Sequence, residues 1–341
     1  MTSTKQNPPA KHHHIPEFLL SQWAVNDGKL WRFRPVHGGK FSAKLLAPAA
    51  TGYLPDLYAT PGLPAEHAQQ VEQKFMAPLD GAAALALDHL LLAEPKQMSP
   101  NQRSGWSRFV MSLWFRAPDD VVAIKAAMKA LLAKGDHALN EKYLAQRPAD
   151  WPDSLEAAAS MLGSDFADQA AMHVFRQSID NKERGEHLNN MVWNVVEVVQ
   201  NEEFLMSDAP VRIFGGMKES SFYVAMPISP RKLFIATNTE TLAATIATLD
   251  GEEIVARANR SVVGRARLFV AATDKSQSTF IEGHFGIEEK PSLMKSLADG
   301  YAASLADKYE RKFGGSAPYF QEQASVGSDF KLSALSPECH T

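Results

Sequence analysis

Five polar residues in this chain have the type and setting that acid–base or ligand chemistry needs. The first lies in the box His12-His13-His14-Ile15-Pro16-Glu17-Phe18-Leu19-Leu20. Pro16 biases Ile15 toward extended backbone. Side chains alternate in an extended segment, so His12 and His14 share one side and His13 takes the other. A single inward histidine can exchange a proton near neutral pH, and two on one side can ligate a metal. The same residues serve equally well as hydrogen-bonded anchors of the chain's entry or as an exposed polar stretch.

The second candidate is Asp208, in Phe204-Leu205-Met206-Ser207-Asp208-Ala209-Pro210-Val211. An apolar strand would deliver Ser207 and Asp208 to its end, where Pro210 blocks an interior ladder. A carboxylate there suits metal binding or general-base work, and it also suits an Asx-turn that merely shapes the loop. Asn259 sits on the apolar helical face of Val255, Ala258, Val262, Ala266 and Phe269. A buried amide there must find partners in a loop or a ligand. Arg116 closes an aromatic-rich helix, where it can face the negative end of the dipole or a carboxylate such as Glu72. Glu72 reads as that partner or as a solvated helix residue. Pro227-Ile228-Ser229-Pro230-Arg231 reads as a tight architectural connection.

Several chemistries with strong linear signatures are missing. There is no Walker loop and no dinucleotide glycine motif, and Gly215-Gly216-Met217-Lys218-Glu219-Ser220 has the wrong spacing for either. No His-Glu-x-x-His, cysteine zinc pattern or Gly-x-Ser-x-Gly elbow occurs. Cys339 is the one cysteine of 341 residues, which rules out an intramolecular disulfide and disfavours thiol catalysis. The net charge of −4 comes from mixed acids and bases with no basic run of the kind a nonspecific nucleic-acid binder shows. The longest apolar stretch, near 81–93, is interrupted by Asp88 and His89 and falls short of a bilayer. With no apolar leader at the N-terminus, the expected location is cytoplasmic.

The elements that must position these residues follow from pattern. Pro16 opens a short helix through Trp23. Leu30–Arg34 and Phe41–Leu45 alternate around Val36-His37-Gly38-Gly39, predicting a hairpin. The middle, about 64–200, is helical. Trp106, Phe109, Val110, Leu113 and Trp114 mark its clearest amphipathic helix, and Val71, Phe75 and Leu79 mark another that Pro78 should kink or break. Glu203–Met206, Ser221–Met226 and Lys232–Thr237 read as strands, while Thr239–Leu249 and Glu252–Ala271 return to helical spacing. The expectation is an α+β, helix-rich fold, with an N-terminal hairpin and a small C-terminal-half sheet packed against the helical middle. A single domain over 11–286 would follow a flexible segment of ten residues and precede a helix over 287–313 and a mobile tail over 314–341.

Taken together, these pieces resemble the bacterial family called domain of unknown function 4238. Its opening frame of His, Pro, Phe and Leu is matched by His13, Pro16, Phe18 and Leu20, with Trp23 following. Its later features resemble Tyr58, Arg116 with Pro118, Ser207-Asp208-Ala209-Pro210-Val211, Pro227-Ile228-Ser229-Pro230 and Asn259. His14 stands where the family usually has an aromatic. The resemblance runs from about Lys11 to about Thr273 and implies a shared frame but no activity.

Two functions fit these residues. One is a hydrolase or nuclease-like enzyme using a divalent metal. There His13 and Asp208 would be ligands, His13, Glu72 or Asp208 the base, and Arg116 and Asn259 would orient an anionic substrate. The other is a noncatalytic binding or regulatory protein in a stress or defence setting, whose polar residues form a structural network. No partner or oligomeric state is indicated.

Overall fold

A computed structural model describes residues 11–59, 68–92, 95–134, 137–163, 165–199 and 203–288. The first ten residues, the tail and all but the first two positions of the expected C-terminal helix lie outside them.

The N-terminal part is built from strands β1 (Lys11–His13), β2 (Leu30–Val36), β3 (Lys40–Leu46) and β4 (Tyr53–Pro55). Between β1 and β2 lie the short helix α1 (Glu17–Leu20) and a 3-10 turn ending at Trp23. β1 and β4 form a two-stranded antiparallel ribbon, His13 facing Tyr53 and His12 facing Leu54. β2 and β3 form the expected hairpin, in register from Leu30 opposite Leu46 to Val36 opposite Lys40. Gly38 and Gly39 both take positive φ at its tip, the left-handed conformation such a tight return needs.

Nine described elements of the middle are helical, one of them the 3-10 turn Pro95–Gln97. Glu72–Met76 is a π turn leading into α2 (Ala77–Leu92), followed by α3 (Pro100–Phe115) and α4 (Pro118–Lys134). Then come α5 (His137–Gln146), α6 (Leu155–Leu162), α7 (Phe166–Ile179) and α8 (Lys182–Asn190). Ser99 starts α3 with a reciprocal capping box, accepting from Gln102 N while the Gln102 side chain accepts from Ser99 N. Trp106, Phe109, Val110 and Leu113 are all buried on one face of α3, as their spacing predicts.

Pro78 does not break its helix. It falls in the first turn of α2, and the wider π turn before it absorbs the irregularity. The helical run Glu72–Leu92 is therefore longer than the apolar stretch read from sequence, and its 21 residues reach the length and apolarity of a bilayer span. One face, including Leu79, Ala83, Ala86, Leu87 and Leu90, is buried in the main core.

The C-terminal half supplies β5 (Val192–Glu197), β6 (Met206–Ser207), β7 (Arg212–Phe214), β8 (Tyr223–Ser229) and β9 (Lys232–Thr237). Helices α9 (Glu240–Ala247) and α10 (Gly251–Gly264), strand β10 (Val270–Ala272) and helix α11 (Ser278–His284) complete it. Two four-stranded antiparallel sheets result, ordered β3-β2-β10-β6 and β5-β9-β8-β7. In the second, Val224, Met226, Phe234 and Ala236 face the main helical core, while Leu233 and Ile235 pack with Ile254 and Val255 of α10. The helix-rich α+β class is as the pattern indicates.

Four element boundaries differ from the sequence expectation. The helical middle expected to about 200 ends at Asn190, because Val192–Glu197 pairs with β9 as strand β5. The segment 203–207 is a strand only at Met206–Ser207. Pro227, Ile228 and Ser229 belong to β8, with an irregularity in register there, so the connection to β9 is only Pro230-Arg231. The helix expected over Glu252–Ala271 stops at Gly264, because Val270–Ala272 fills the central place between β2 and β6. A short apolar run buried on both faces has no periodicity to separate strand from helix.

Candidate active site

The ribbon fixes the histidine box. His14 and Ile15 both donate their N–H to Gly52 O, at 2.8 and 3.1 Å. Gly52 has φ +72°, and a Cβ there would come within 2.8 Å of Ile15 O, so only glycine fits. Behind the box, Phe18 meets Phe109 of α3 at 5.2 Å. Trp23 is fully buried and donates its Nε1–H to Phe204 O at 2.7 Å.

His12, not His13, is the deeply anchored histidine. Tyr58 N donates to His12 Nδ1 at 2.9 Å, so the proton sits on Nε2 and is given to Gln69 Oε1 at 2.5 Å. Gln69 Nε2 in turn donates to Asp56 Oδ1 at 2.9 Å. The ring stacks on Tyr58 with an interplanar angle of 8°. Burial pushes the His12 pKa down, which keeps the imidazole neutral.

Arg116, at the C-terminal cap of α3, is completely buried. Its Nη1 donates to both oxygens of Asp80 on α2, at 2.9 and 3.2 Å, and its plane lies 5.1 Å from the Phe109 ring. The carboxylate partner is thus Asp80 rather than Glu72. The other edge of the guanidinium is unused: Nε and Nη2 are buried and have no hydrogen-bond partner. Tyr58 donates its hydroxyl to Arg116 O at 3.3 Å. Burial drives the phenol's pKa upward, so it stays a donor.

Glu72 opens the π turn and lies close enough to Arg116, Asp80 and Tyr58 for their charges to act on one another. Its Oε2 is buried and unpartnered. Burial first, and the Asp80 charge second, push its carboxyl up to about 7 against the pull of Arg116. Burial also raises Asp80, opposed by the charge and hydrogen bonds of Arg116. His13 stands at the rim, half-buried, with Tyr53 beside its ring and the Arg116 charge within reach. Its Nε2 makes no hydrogen bond; Glu17 Oε1 is 3.5 Å away in ion-pair range. Burial lowers its pKa.

The four unpartnered atoms come from three separate elements. Each costs about 1–3 kcal/mol relative to a satisfied group. π turns recur at functional sites for this kind of placement. The arrangement offers a side-on N–H pair for an anion, next to a carboxyl that exchanges protons near neutral pH.

Asp208 and Asn259 are placed elsewhere and are fully occupied. Asp208 accepts from the backbone N–H groups of Arg267, Leu268 and Phe269 at 3.0 to 3.2 Å, shaping the loop that leads into β10. Burial raises its pKa while those donors pull it down. Asn259 accepts from Leu205 N at 2.8 Å and donates to Glu203 O and Gln277 Oε1 at 2.8 and 3.0 Å. A cleft of about 170 Å³ lined by Glu203, Arg231, Thr273 and Gln277 adjoins it. No hydrogen bond or ion pair joins His13 to Asp208. Among the described residues, no three His, Cys, Asp or Glu side chains gather to hold a metal.

Sequence reasoning missed His12 as the bonded histidine and Asp80 as the arginine's partner. Asp80 did leave a signal, being one of two carboxylates, with Asp88, in an otherwise apolar helix and eight residues after Glu72.

Compared with known proteins, the chain matches the family model described as "Protein of unknown function (DUF4238)" over residues 11–276. No curated protein and no solved structure matches it.

Proposed function

This chain belongs to the DUF4238 family, whose description carries no activity, and from its own residues we propose that it is a hydrolase acting on an ester that bears an anionic group. The carrying observation is the free Nε/Nη2 edge of a completely buried Arg116 beside a Glu72 carboxyl poised at about 7. In this reading the Arg116 edge takes two oxygens of the substrate in a bidentate grip, the geometry guanidinium favours for carboxylate and phosphate. Asp80 holds the opposite edge and so fixes the plane. Ionised Glu72 removes the proton from a water, which attacks the ester centre, and the negative charge that builds there falls on Arg116 N–H donors; the bond to the leaving oxygen then breaks, and that oxygen takes the proton from Glu72. His13 orients the water or the leaving group from the rim. Tyr58 positions Arg116 through its main-chain carbonyl.

The metal-assisted version with His13 and Asp208 as ligands has less support. Both Asp208 oxygens already accept backbone N–H groups. The noncatalytic reading draws on one observation, that His12, Asp208 and Asn259 sit in satisfied bonds, and it describes those three well. It leaves Glu72 and Arg116 unexplained, since a structural network loses stability from every open position.

Steady-state hydrolysis of p-nitrophenyl phosphate, bis-p-nitrophenyl phosphate and p-nitrophenyl esters tests the reading, with and without a chelator. Turnover should rise through an apparent pKa near 7. Glu72→Gln should lower kcat by roughly 10²–10⁴-fold. Arg116→Lys should lose the two-pronged grip, with a higher KM for the anionic esters. An unaffected Glu72→Gln enzyme, or no turnover on any ester, would sink the proposal.

A further inference from the structure

His12 touches none of the open atoms at the candidate site, yet an unbroken chain of direct hydrogen bonds runs from it to Arg116. Asp56 Oδ1 accepts from Gln69 Nε2 at 2.9 Å, and Gln69 Oε1 accepts the His12 Nε2 proton. His12 Nδ1 accepts from Tyr58 N at 2.9 Å, and the Tyr58 hydroxyl donates to Arg116 O at 3.3 Å. Asp56 and Tyr58 belong to one tight turn, closed by Ala59 N donating to Asp56 O at 3.0 Å. Lys125 Nζ of α4 steadies the end of that turn by donating to Ala59 O at 3.3 Å. Both imidazole nitrogens therefore lead to the same turn, Nδ1 directly at Tyr58 and Nε2 through Gln69 at Asp56. The ring is its clasp.

Tyr58 is the lever between this clasp and the site. It is completely buried, and its ring lies between His12 at 5.5 Å and Phe175 at 5.5 Å, stacked on both. A phenol held on both faces moves only with the turn that carries it. Its hydroxyl bonds the C-terminal cap of α3, where main-chain carbonyls have no partner further along the helix. Arg116 thus has two anchors: Asp80 holds one guanidinium edge, and Tyr58 holds the main chain. Together they set where the unused Nε and Nη2 edge points. Anchoring the chain's entry does not require His12, because Gly52 O already takes the N–H groups of His14 and Ile15.

We infer that His12 is a positioning residue for Arg116: as a neutral acceptor it seats Tyr58, and Tyr58 aims the unused guanidinium edge at an anion. The use of that edge as an anion grip rests on the hydrolase reading above; the link from His12 to Arg116 does not. The arrangement is sensitive to acid by construction. A protonated imidazole carries N–H on both nitrogens, so Nδ1 would confront the Tyr58 N–H donor and the clasp would open. Burial opposes that proton most, Lys125 of α4 and the adjacent His13 add to the opposition, and Gln69 and Asp56 favour it. As pH falls, the grip on an anion is released from behind, through a residue that never meets the ligand.

Two measurements on full-length protein test this: calorimetric titration with inorganic phosphate, and the Arg116 Nε–H resonance after labelling with isotopic arginine, identified by its absence from Arg116→Lys. His12→Leu removes the acceptor and should bind phosphate about tenfold more weakly at pH 8, the worth of one charge-assisted hydrogen bond. His12→Asn keeps an acceptor oxygen near the place of Nδ1 and should bind within about threefold of the parent. Asn259→Leu, which also removes a buried bond to a main-chain N–H but lies elsewhere, should bind like the parent. In a Glu72→Gln background, free of the nearer titration, the Arg116 signal should move together with the His12 ring between about pH 8 and about pH 5. Adding His12→Asn should abolish that step. Parent-like affinity in His12→Leu, an equal loss in Asn259→Leu, or an Arg116 signal indifferent to the His12 ring would overturn the inference. The resonance decides the matter even where His12→Leu fails to fold. No phosphate binding by the parent, with the two signals still moving together, would sink only the hydrolase reading.

Discussion

If Glu72 is held for chemistry rather than for the fold, replacing it with the isosteric amide should make the protein more stable. The carboxyl titrates at about 7 instead of 4.5 because burial and Asp80 disfavour its charge. A folded-state pKa raised in this way costs nothing below pH 4.5, where the group is neutral in both states. The cost grows as pH rises from 4.5 to 7 and is complete above that. The shift corresponds to about 3 kcal/mol at 1.4 kcal/mol per unit, and solvent at the part-exposed side chain reduces this to roughly 2 kcal/mol. Glu72→Gln should therefore raise the melting temperature by about 3 °C at pH 8 and leave it nearly unchanged at pH 4. Thermal melts followed by circular dichroism between pH 4 and 9 would trace the difference, which should open between pH 4.5 and 7. A variant less stable than the parent at pH 8, or a difference that ignores pH, would refute the reasoning and make Glu72 a structural residue.

Other outcomes follow from the same contacts. His12 is held neutral with its pKa below 6.5, so its stabilising contribution is full above pH 6.5 and is lost as pH falls toward its folded value. His12→Asn should cost about 1–3 kcal/mol at pH 8 and flatten the acid limb of the stability curve; an unchanged acid limb in urea titrations would count against that assignment. Asn259→Leu should cost about 1–3 kcal/mol by orphaning Leu205 N, while Glu203 O keeps the Gln277 Nε2 donor, with kcat on small esters unchanged. A selective loss of turnover at full stability would return Asn259 to the site. Gly52→Ala should destabilise by more than about 1 kcal/mol, from positive φ and the contact with Ile15 O. Hydrogen exchange at His14 and Ile15 would report it as faster opening of the box.

What could be read from sequence depended on how local each cause was. The hairpin was legible because Trp31 and Phe33 alternate with Arg32 and Arg34 within one strand. Helix α3 was legible because its aromatics repeat within a few turns. Val270-Ala271-Ala272 was not, since its strand character comes from lying between β2 and β6, more than 60 residues away in each case. The candidate site divides the same way. Glu72, Arg116 and His13 attracted notice by type and by their place near element ends. Their partners, Asp80 for Arg116 and Tyr58 for His12, are set by tertiary packing across 36 and 46 residues. Asp208 and Asn259 looked equally chemical in one dimension, and only their full complement of backbone partners shows what they hold.

The π turn puts the two ends of one helix out of phase. The buried Val71 and the buried Met76 are five positions apart, and the ordinary spacing resumes through Leu79 and Ala83. One extra residue is thus accommodated between them. Deleting Gln73 or Lys74 would let the helix run straight with a conventional ladder, and it would swing the Glu72 carboxyl by about 100° around the axis, away from Arg116. A shorter chain in this segment would be the better helix, and its arginine would face an empty position.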